Sequence, residues 1–189
     1  MLVKIFKNII YILMMAVIFG SGCSTPEYTV DFPEEISLGT SLVYINGEER
    51  NFENSSWYFK FMDGREVLSI SFGESINGSE FIHQVAGSIF YPQENSDLTI
   101  IDYKTAEPDF VNVFFSQTYD EDLDGWEYKY CETNEDYFKL DTYDTTNHII
   151  SGSAQLRFKR VKKHGAPDGA DLEKTLLIEI RFHDYYEVK

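Results

Sequence analysis

The chain has 189 residues with 32 Asp and Glu against 16 Lys and Arg, a formal net charge of −16. A field of that sign repels polyphosphate, whose binding rests on neutralisation by basic side chains, so nucleic acid is excluded as a partner and an anionic lipid surface as a main one. Aromatic residues make up 16 % of the chain, 15 Phe, 13 Tyr and 2 Trp, enough to fill the core of one domain without covalent staples.

Residues 1–22 read as an export signal. Lys4 and Lys7 supply a positive start, Ile9 to Phe19 form a run of eleven apolar or aromatic residues, and Gly20, Ser21 and Gly22 lead to Cys23. A spanning helix needs about 20 apolar residues, so this run is too short for an uncleaved anchor. The segment Phe19-Gly20-Ser21-Gly22-Cys23 resembles a lipobox, the site where lipoprotein signal peptidase cuts; Gly20 stands where an aliphatic residue is usual. The resemblance implies that Cys23 becomes the mature amino terminus and carries acyl chains that hold the protein to a membrane. Ser24 in place of an aspartate leans toward the outer membrane by the same resemblance. Without Lys4 and Lys7 the remaining chain is more acidic still. Acylation of Cys23 would leave Cys131 as a lone thiol, with no internal disulfide and a structural role rather than a nucleophilic one.

Residues 23–38, with Pro26 and Pro33, read as lipidated cysteine and tether, and 39–189 as one all-β domain. Hydrophobic alternation of period two dominates that domain: Trp57, Phe59 and Phe61; Leu68, Ile70 and Phe72; Trp126, Tyr128 and Tyr130; Ala154, Leu156 and Phe158; Leu176, Ile178, Ile180 and Phe182. Asn46-Gly47, Asp63-Gly64, Asn77-Gly78 and Asp124-Gly125 fall between these runs and predict tight hairpins with positive φ. The first three set a meander through 41–91, and further strands are expected near 97–103, 110–118, 126–131, 136–143, 149–162 and 174–184. The count predicts an antiparallel β-sandwich of about ten strands, with an up-and-down, lipocalin-like barrel as the alternative.

The leader, the Ile45-Asn46-Gly47-Glu48 hairpin and the Ile150-Ser151-Gly152-Ser153 strand start together resemble small uncharacterised envelope lipoproteins of Bacteroidota, in which a lipidated cysteine and a short acidic tether precede one all-β domain. That resemblance implies a noncatalytic binding or structural module of the bacterial envelope and assigns no catalytic residue. Its alternatives are a lipocalin-like carrier of a small apolar ligand and a carbohydrate-binding surface module; an envelope protein is a further partner class.

Three features stand out as candidate sites. Asp120-Glu121-Asp122-Leu123-Asp124-Gly125 matches the opening of a calcium loop, with Asp120, Asp122 and Asp124 on alternate residues and the Trp126 carbonyl as a further ligand; a charged hairpin turn explains the same residues. Arg157, Lys159, Arg160, Lys162 and Lys163 form the one positive stretch. Lys159, Arg160, Lys162 and Lys163 are the candidates for contact with an anion, although neutralisation of acidic neighbours on a solvated edge is the expected role. Trp57, Trp126, Tyr128, Tyr185 and Tyr186 are the aromatics from which a sugar platform would be built, but core packing is the simpler expectation for strand residues. No serine-hydrolase elbow, zinc-protease motif or phosphate loop occurs, and His83, His148, His164 and His183 lack metal-ligand spacing, so no enzyme is expected.

Overall fold

A computed structural model describes Tyr28 and residues 30–75, 81–101, 110–119, 124–164 and 174–189. It is all-β, with thirteen strands among the described residues. The opening hairpin joins β1 (Thr40–Ile45) to β2 (Glu48–Arg50) through Asn46 and Gly47, whose φ values of 53° and 79° are those the Asn-Gly pair predicts. A two-residue β3 (Glu53–Asn54) then pairs with β5, and β4 (Trp57–Lys60), β5 (Glu66–Ser75) and β6 (Phe81–Phe90) follow as consecutive antiparallel neighbours. Beyond them come β7 (Ser96–Ile101), β8 (Phe110–Tyr119), β9 (Asp124–Tyr130), β10 (Tyr137–Asp144), β11 (Ile149–His164), β12 (Thr175–Tyr185) and β13 (Glu187–Val188).

One sheet takes them all, in the order β13-β4-β5-β6-β8-β7-β10-β11-β12-β1-β2, with β9 inserted between β8 and the far half of β11. Its backbone is the long β11–β12 ladder, from Ile149 opposite Tyr185 to Lys159 opposite Thr175. The expected meander through 41–91 is interrupted: β2 and β4 are not neighbours, because residues 51–56 carry the chain from one half of the sheet to the other, with Phe52 buried on the way. Two pairs, β7 with β8 and β13 with β4, run parallel. Residues 102–109 make the first connection too long for a hairpin, and β13 is the continuation of β12 past Tyr186 onto β4.

The sheet folds over its own apolar face. Phe72 of β5 meets Phe182 of β12 with ring centroids 5.6 Å apart, Phe115 of β8 meets Phe158 of β11 at 5.9 Å, and Tyr58 of β4 meets Tyr186 at 6.3 Å. These contacts join the β4–β5–β6–β8 half to the β10–β11–β12–β1 half around one core that includes Leu68, Ile70, Ile89, Leu140, Leu156 and Ile178. The arrangement is that of a sandwich, and β13 and β2 remain as the two ends of the strand order, so no barrel closes.

Strand parity explains which side chains form this core, with two departures from expectation. In β4 it is Tyr58 that turns inward, leaving Trp57 and Phe59 on the outer face. The Asp63-Gly64 turn is a three-residue loop: Phe61 N donates to Arg65 O at 2.8 Å and only Gly64 has positive φ, 86°.

Gly152 is fixed by packing. A Cβ there would collide with the Lys139 carbonyl, next to the β10 irregularity at Leu140/Thr142, and lie 2.7 Å from Phe182 Cζ. Gly152→Ala should therefore cost about 1–3 kcal/mol of stability, read as a lower urea midpoint. Ser153→Ala beside it should change the midpoint by less than about 0.5 kcal/mol.

Candidate functional site

All hairpin connections fall at two ends of the sheet. Following the ladders outward places Asn46-Gly47, the ends of β5, β8 and β11 and the starts of β6, β9 and β12 at one end, and the turns after Lys60, Phe90 and Asp144 at the other. The first end carries most of the chemistry legible in the structure.

The basic stretch lies there, at the end of β11. Phe158 and Lys159 of β11 are paired on both sides, with Lys159 opposite both Thr175 and Lys129, and beyond them Arg160, Lys162, Lys163 and His164 pair with β9 past the last register pair with β12. Lys159 is exposed and Arg160 half-buried; Lys162 and Lys163 pair in register with Glu127 and Trp126. Arg157 takes a different role from its neighbours. Its buried guanidinium donates to Asp136 Oδ1 at 2.6 Å, Glu135 Oε2 at 2.6 Å and Thr133 Oγ1 at 2.7 Å, tying the loop after β9 to the outer face of β11. Burial pushes the Asp136 and Glu179 carboxyls up, against the pull of Arg157, and raises the Tyr130 phenol with help from Asp136.

Of the calcium-loop candidates, Asp120 and Asp122 lie outside the described residues. Asp124 and Gly125 are not a turn: they begin β9, opposite Tyr119 and Thr118. Trp126 follows within the same strand, opposite Gln117. Among the described residues, no three His, Cys, Asp or Glu side chains are grouped to hold a metal ion.

A half-buried ionic network missed by sequence reasoning sits on β2, β5 and β6. Arg50 binds Glu74 with both carboxylate oxygens, Nε to Oε1 at 3.2 Å and Nη2 to Oε2 at 2.8 Å, and His83 Nδ1 lies 2.8 Å from the same Oε2. Burial raises the Glu74 carboxyl, but the Arg50 and His83 bonds outweigh it and hold it below the usual range. His83 is 4 % exposed, beside Phe115 at 6.2 Å, and its Nε2 has no partner. Neutral His83 donates its Nδ1 proton to Glu74. No local spacing announces these three residues, since the bonds join positions far apart in sequence across different strands.

The segment before β1 is held down as well. Tyr28 covers Gly47, with Cδ1 2.9 Å from where a Cβ would stand; Phe32 meets Tyr44 edge-on at 5.2 Å; Arg181 donates to the Pro33 and Glu34 carbonyls; and His183 Nδ1 donates to Ile36 O at 3.2 Å. Tyr28 and residues 30–38 thus lie along the outer face of β1 and β12, from the Asn46-Gly47 end to His183, and the chain reverses at Gly39, whose φ is 83°.

The five sugar-platform aromatics separate. Tyr128 and Tyr186 are core residues, as strand packing predicts, and the Trp126 side chain lies outside the described residues. Trp57 is not in the core: its ring stacks on Phe59 at 4.6 Å with Lys189 5.5 Å above it, and Phe59 continues to Phe61 at 4.4 Å. Tyr185 is 54 % exposed, and between it and Trp57 a cleft is lined by Asn54, Ser55, Asp184 and Glu187. Cys131 follows β9, half-buried, and its backbone N–H donates to the Arg157 carbonyl at 2.8 Å; the sequence's other cysteine, Cys23, lies outside the described residues.

No family model matches the chain, and neither a curated protein nor a solved structure shows significant similarity to it.

Burial holds His83 below its ordinary pKa, the Glu74 bond opposing this only in part. The unfolded chain therefore binds the proton first, and stability falls as pH drops below about 6.5, levelling off once the folded-state pKa is passed. Urea titrations across this window should show that slope in the native chain and a flatter one in His83→Gln. An equal slope in both would assign the proton to another group.

Proposed function

We propose that the chain is a noncatalytic lipoprotein of the bacterial envelope, anchored through acylated Cys23 to the outer membrane, whose all-β domain serves as a binding or structural module. The observation that carries this reading is the leader: Lys4 and Lys7, the short apolar run Ile9 to Phe19, and small residues up to Cys23. A core filled by Phe72, Phe115, Phe158 and Phe182 favours a solid module over a lipocalin-like carrier with an interior ligand.

Metabolic incorporation of a fatty-acid analogue tests the anchor: the native chain should label and partition into detergent, and Cys23→Ala should do neither. A sulfur in a thioether to lipid cannot also form a disulfide, so acylation and an internal bond to Cys131 are exclusive fates of Cys23. Intact mass of the unreduced mature protein separates them. Labelling retained in Cys23→Ala would move the anchor to the apolar run itself.

The acidic segment supports calcium as a ligand of this module in a β-flanked loop, with Asp120, Asp122 and Asp124 and the Trp126 carbonyl supplying oxygens. Calcium would relieve repulsion among these carboxylates, so millimolar calcium should raise the melting temperature and Asp122→Asn with Asp124→Asn should abolish the rise. Equal midpoints in calcium and in chelator would leave an ordinary charged hairpin.

A carbohydrate-binding reading is favoured by one observation, the cleft between Trp57 and Tyr185. Its ring surfaces suit the apolar face of a sugar, and Asp184, Glu187 and Ser55 offer partners for hydroxyls. Phe59 and Lys189 already occupy the neighbourhood of the indole, which leaves Tyr185 as the more open ring.

A further inference from the structure

We infer that the cleft between Trp57 and Tyr185 takes an uncharged oligosaccharide, which stacks on the Tyr185 ring and leaves the cleft along the outer face of β4, over Phe59 and Phe61. The ligand class rests on the carbohydrate-binding reading of that cleft, to which it adds a charge and a length. Three observations carry it.

The first is the cleft itself. It measures about 430 Å³, within the range of about 300–1,000 Å³ usual for small-molecule sites. Its walls are tied together by backbone groups: Glu187 N donates to Ser56 O at 3.0 Å, Lys189 N to Tyr58 O at 2.9 Å, and Asn54 Nδ2 to Tyr185 O at 2.9 Å. These bonds hold β13 to β4 and the end of β12 to Asn54, so the separation of the walls is set by the fold. Among the described residues no ring or cation lies against Tyr185, which is 54 % exposed, whereas the indole of Trp57 has Phe59 on one side and Lys189 above it. The apolar face of a sugar therefore has Tyr185 to stack on and Trp57 as the facing wall.

The second is the row of rings that leads out of the cleft. Trp57, Phe59 and Phe61 follow one another with centroids 4.6 and 4.4 Å apart, and the four steps from Trp57 to Phe61 cover about 13 Å along the strand direction. Phe61, at the far end, is exposed. The cleft alone accounts for one or two sugar units; the row supplies apolar surface for the next ones.

The third is charge. The chain carries a net charge of −16, yet the cations beside the row are each matched by a carboxylate: Lys189 by Glu187 at 3.7 Å, Arg65 by Asp63 at 2.8 Å and Lys60 by Glu66 at 2.7 Å. The outward positions of β5, β6 and β8 next to the row, 67 to 73, 84 to 90 and 110 to 116 taken alternately, hold no charged residue. The outer face of the other half carries Lys139, Arg157, Glu179 and Arg181. A sulfated or uronate glycan would meet the acidic field of the chain at a place where the nearby cations are already paired, while a neutral one meets no such cost. Ser55, Asp184 and Glu187 remain as acceptors for its hydroxyl groups.

Isothermal titration of the full chain in detergent tests this with cellohexaose, laminarihexaose, maltohexaose and mannohexaose, the disaccharide of each, and the hexamer of galacturonic acid. At least one neutral hexasaccharide should bind saturably and more tightly than its disaccharide, and the galacturonate should not bind. Tyr185→Ala should lower the affinity about tenfold, the loss of one stacked ring, and Tyr185→Phe should keep most of it. Phe61→Ala should weaken the hexasaccharide severalfold and leave the disaccharide unchanged; Tyr137→Ala, which removes an exposed ring from the opposite outer face, should change neither. A hexasaccharide no tighter than its disaccharide, or indifferent to Phe61→Ala, would overturn the extended site while leaving the carbohydrate reading standing. Tighter binding of the galacturonate would overturn the neutral class, and affinity that survives Tyr185→Ala would overturn the anchor. Failure of every probe to bind would sink the carbohydrate reading and the oligosaccharide with it.

Discussion

The whole architecture depends on a single sheet finding cover for its own apolar face. With no helix among the described residues to lie on it, the sheet bends until its halves meet, and the meeting is made by aromatic rings: Phe72 on Phe182, Phe115 on Phe158, Tyr58 on Tyr186. A fully buried Phe removes enough apolar surface from water to contribute about 2–3 kcal/mol, so these rings dominate the gain. Everything else follows the bend. β9 joins β8 to β11 directly, beside the longer path through β7 and β10, and β13 reaches β4 because the end of β12 is carried round to it.

Bending leaves two sheet ends that a flat sheet would keep far apart, and the chain treats them with polar groups. Arg50 on β2 reaches Glu74 on β5, so the β2 end is joined to the other half by a paired charge where no backbone ladder connects the two strands. Such a pair adds little net stability once desolvation is counted, yet breaking it by removing one partner leaves a buried charge, which is far more costly. Its consequence is a specified closure. His83 adds to the same carboxylate from β6, and the resulting three-strand contact fixes how β2, β5 and β6 sit at this end.

Much of the fold was legible in the sequence because period-two alternation is local. The strands expected near 110–118 and 149–162 are β8 and β11, and Leu176, Ile178, Ile180 and Phe182 all face the core as the alternation requires. What escaped was non-local. In β4 both parities are aromatic, so alternation could not decide between Tyr58 and its neighbours; only the approach of Tyr143 and Tyr186 settles it. Asp124-Gly125 carries a turn signal but is overridden by its ladder to Tyr119 and Thr118. The candidate sites were less legible still. The basic run was visible as composition, but its place on an interior strand, and the diversion of Arg157 to Asp136 and Glu135, depend on which strands flank β11.

The outer face of β12 shows why the segment before β1 is more than a tether. In a sandwich the outward positions of a strand ordinarily meet water, yet Leu177 and Glu179 are buried on that face, and burial raises the Glu179 carboxyl. Glu179 stands opposite Tyr44, whose ring is covered by Phe32, and two residues further on Arg181 is committed to the Pro33 and Glu34 carbonyls. A long flexible linker would spend its entropy in solution; this one gives up that freedom to cover sheet surface. Its polar clamps sit on the same strand whose inner face carries Ile178, Ile180 and Phe182, so the segment's position is set by the core itself. Pull applied at the amino-terminal side is therefore borne by β1 and β12, a paired couple of strands within the sheet, rather than by a loose end.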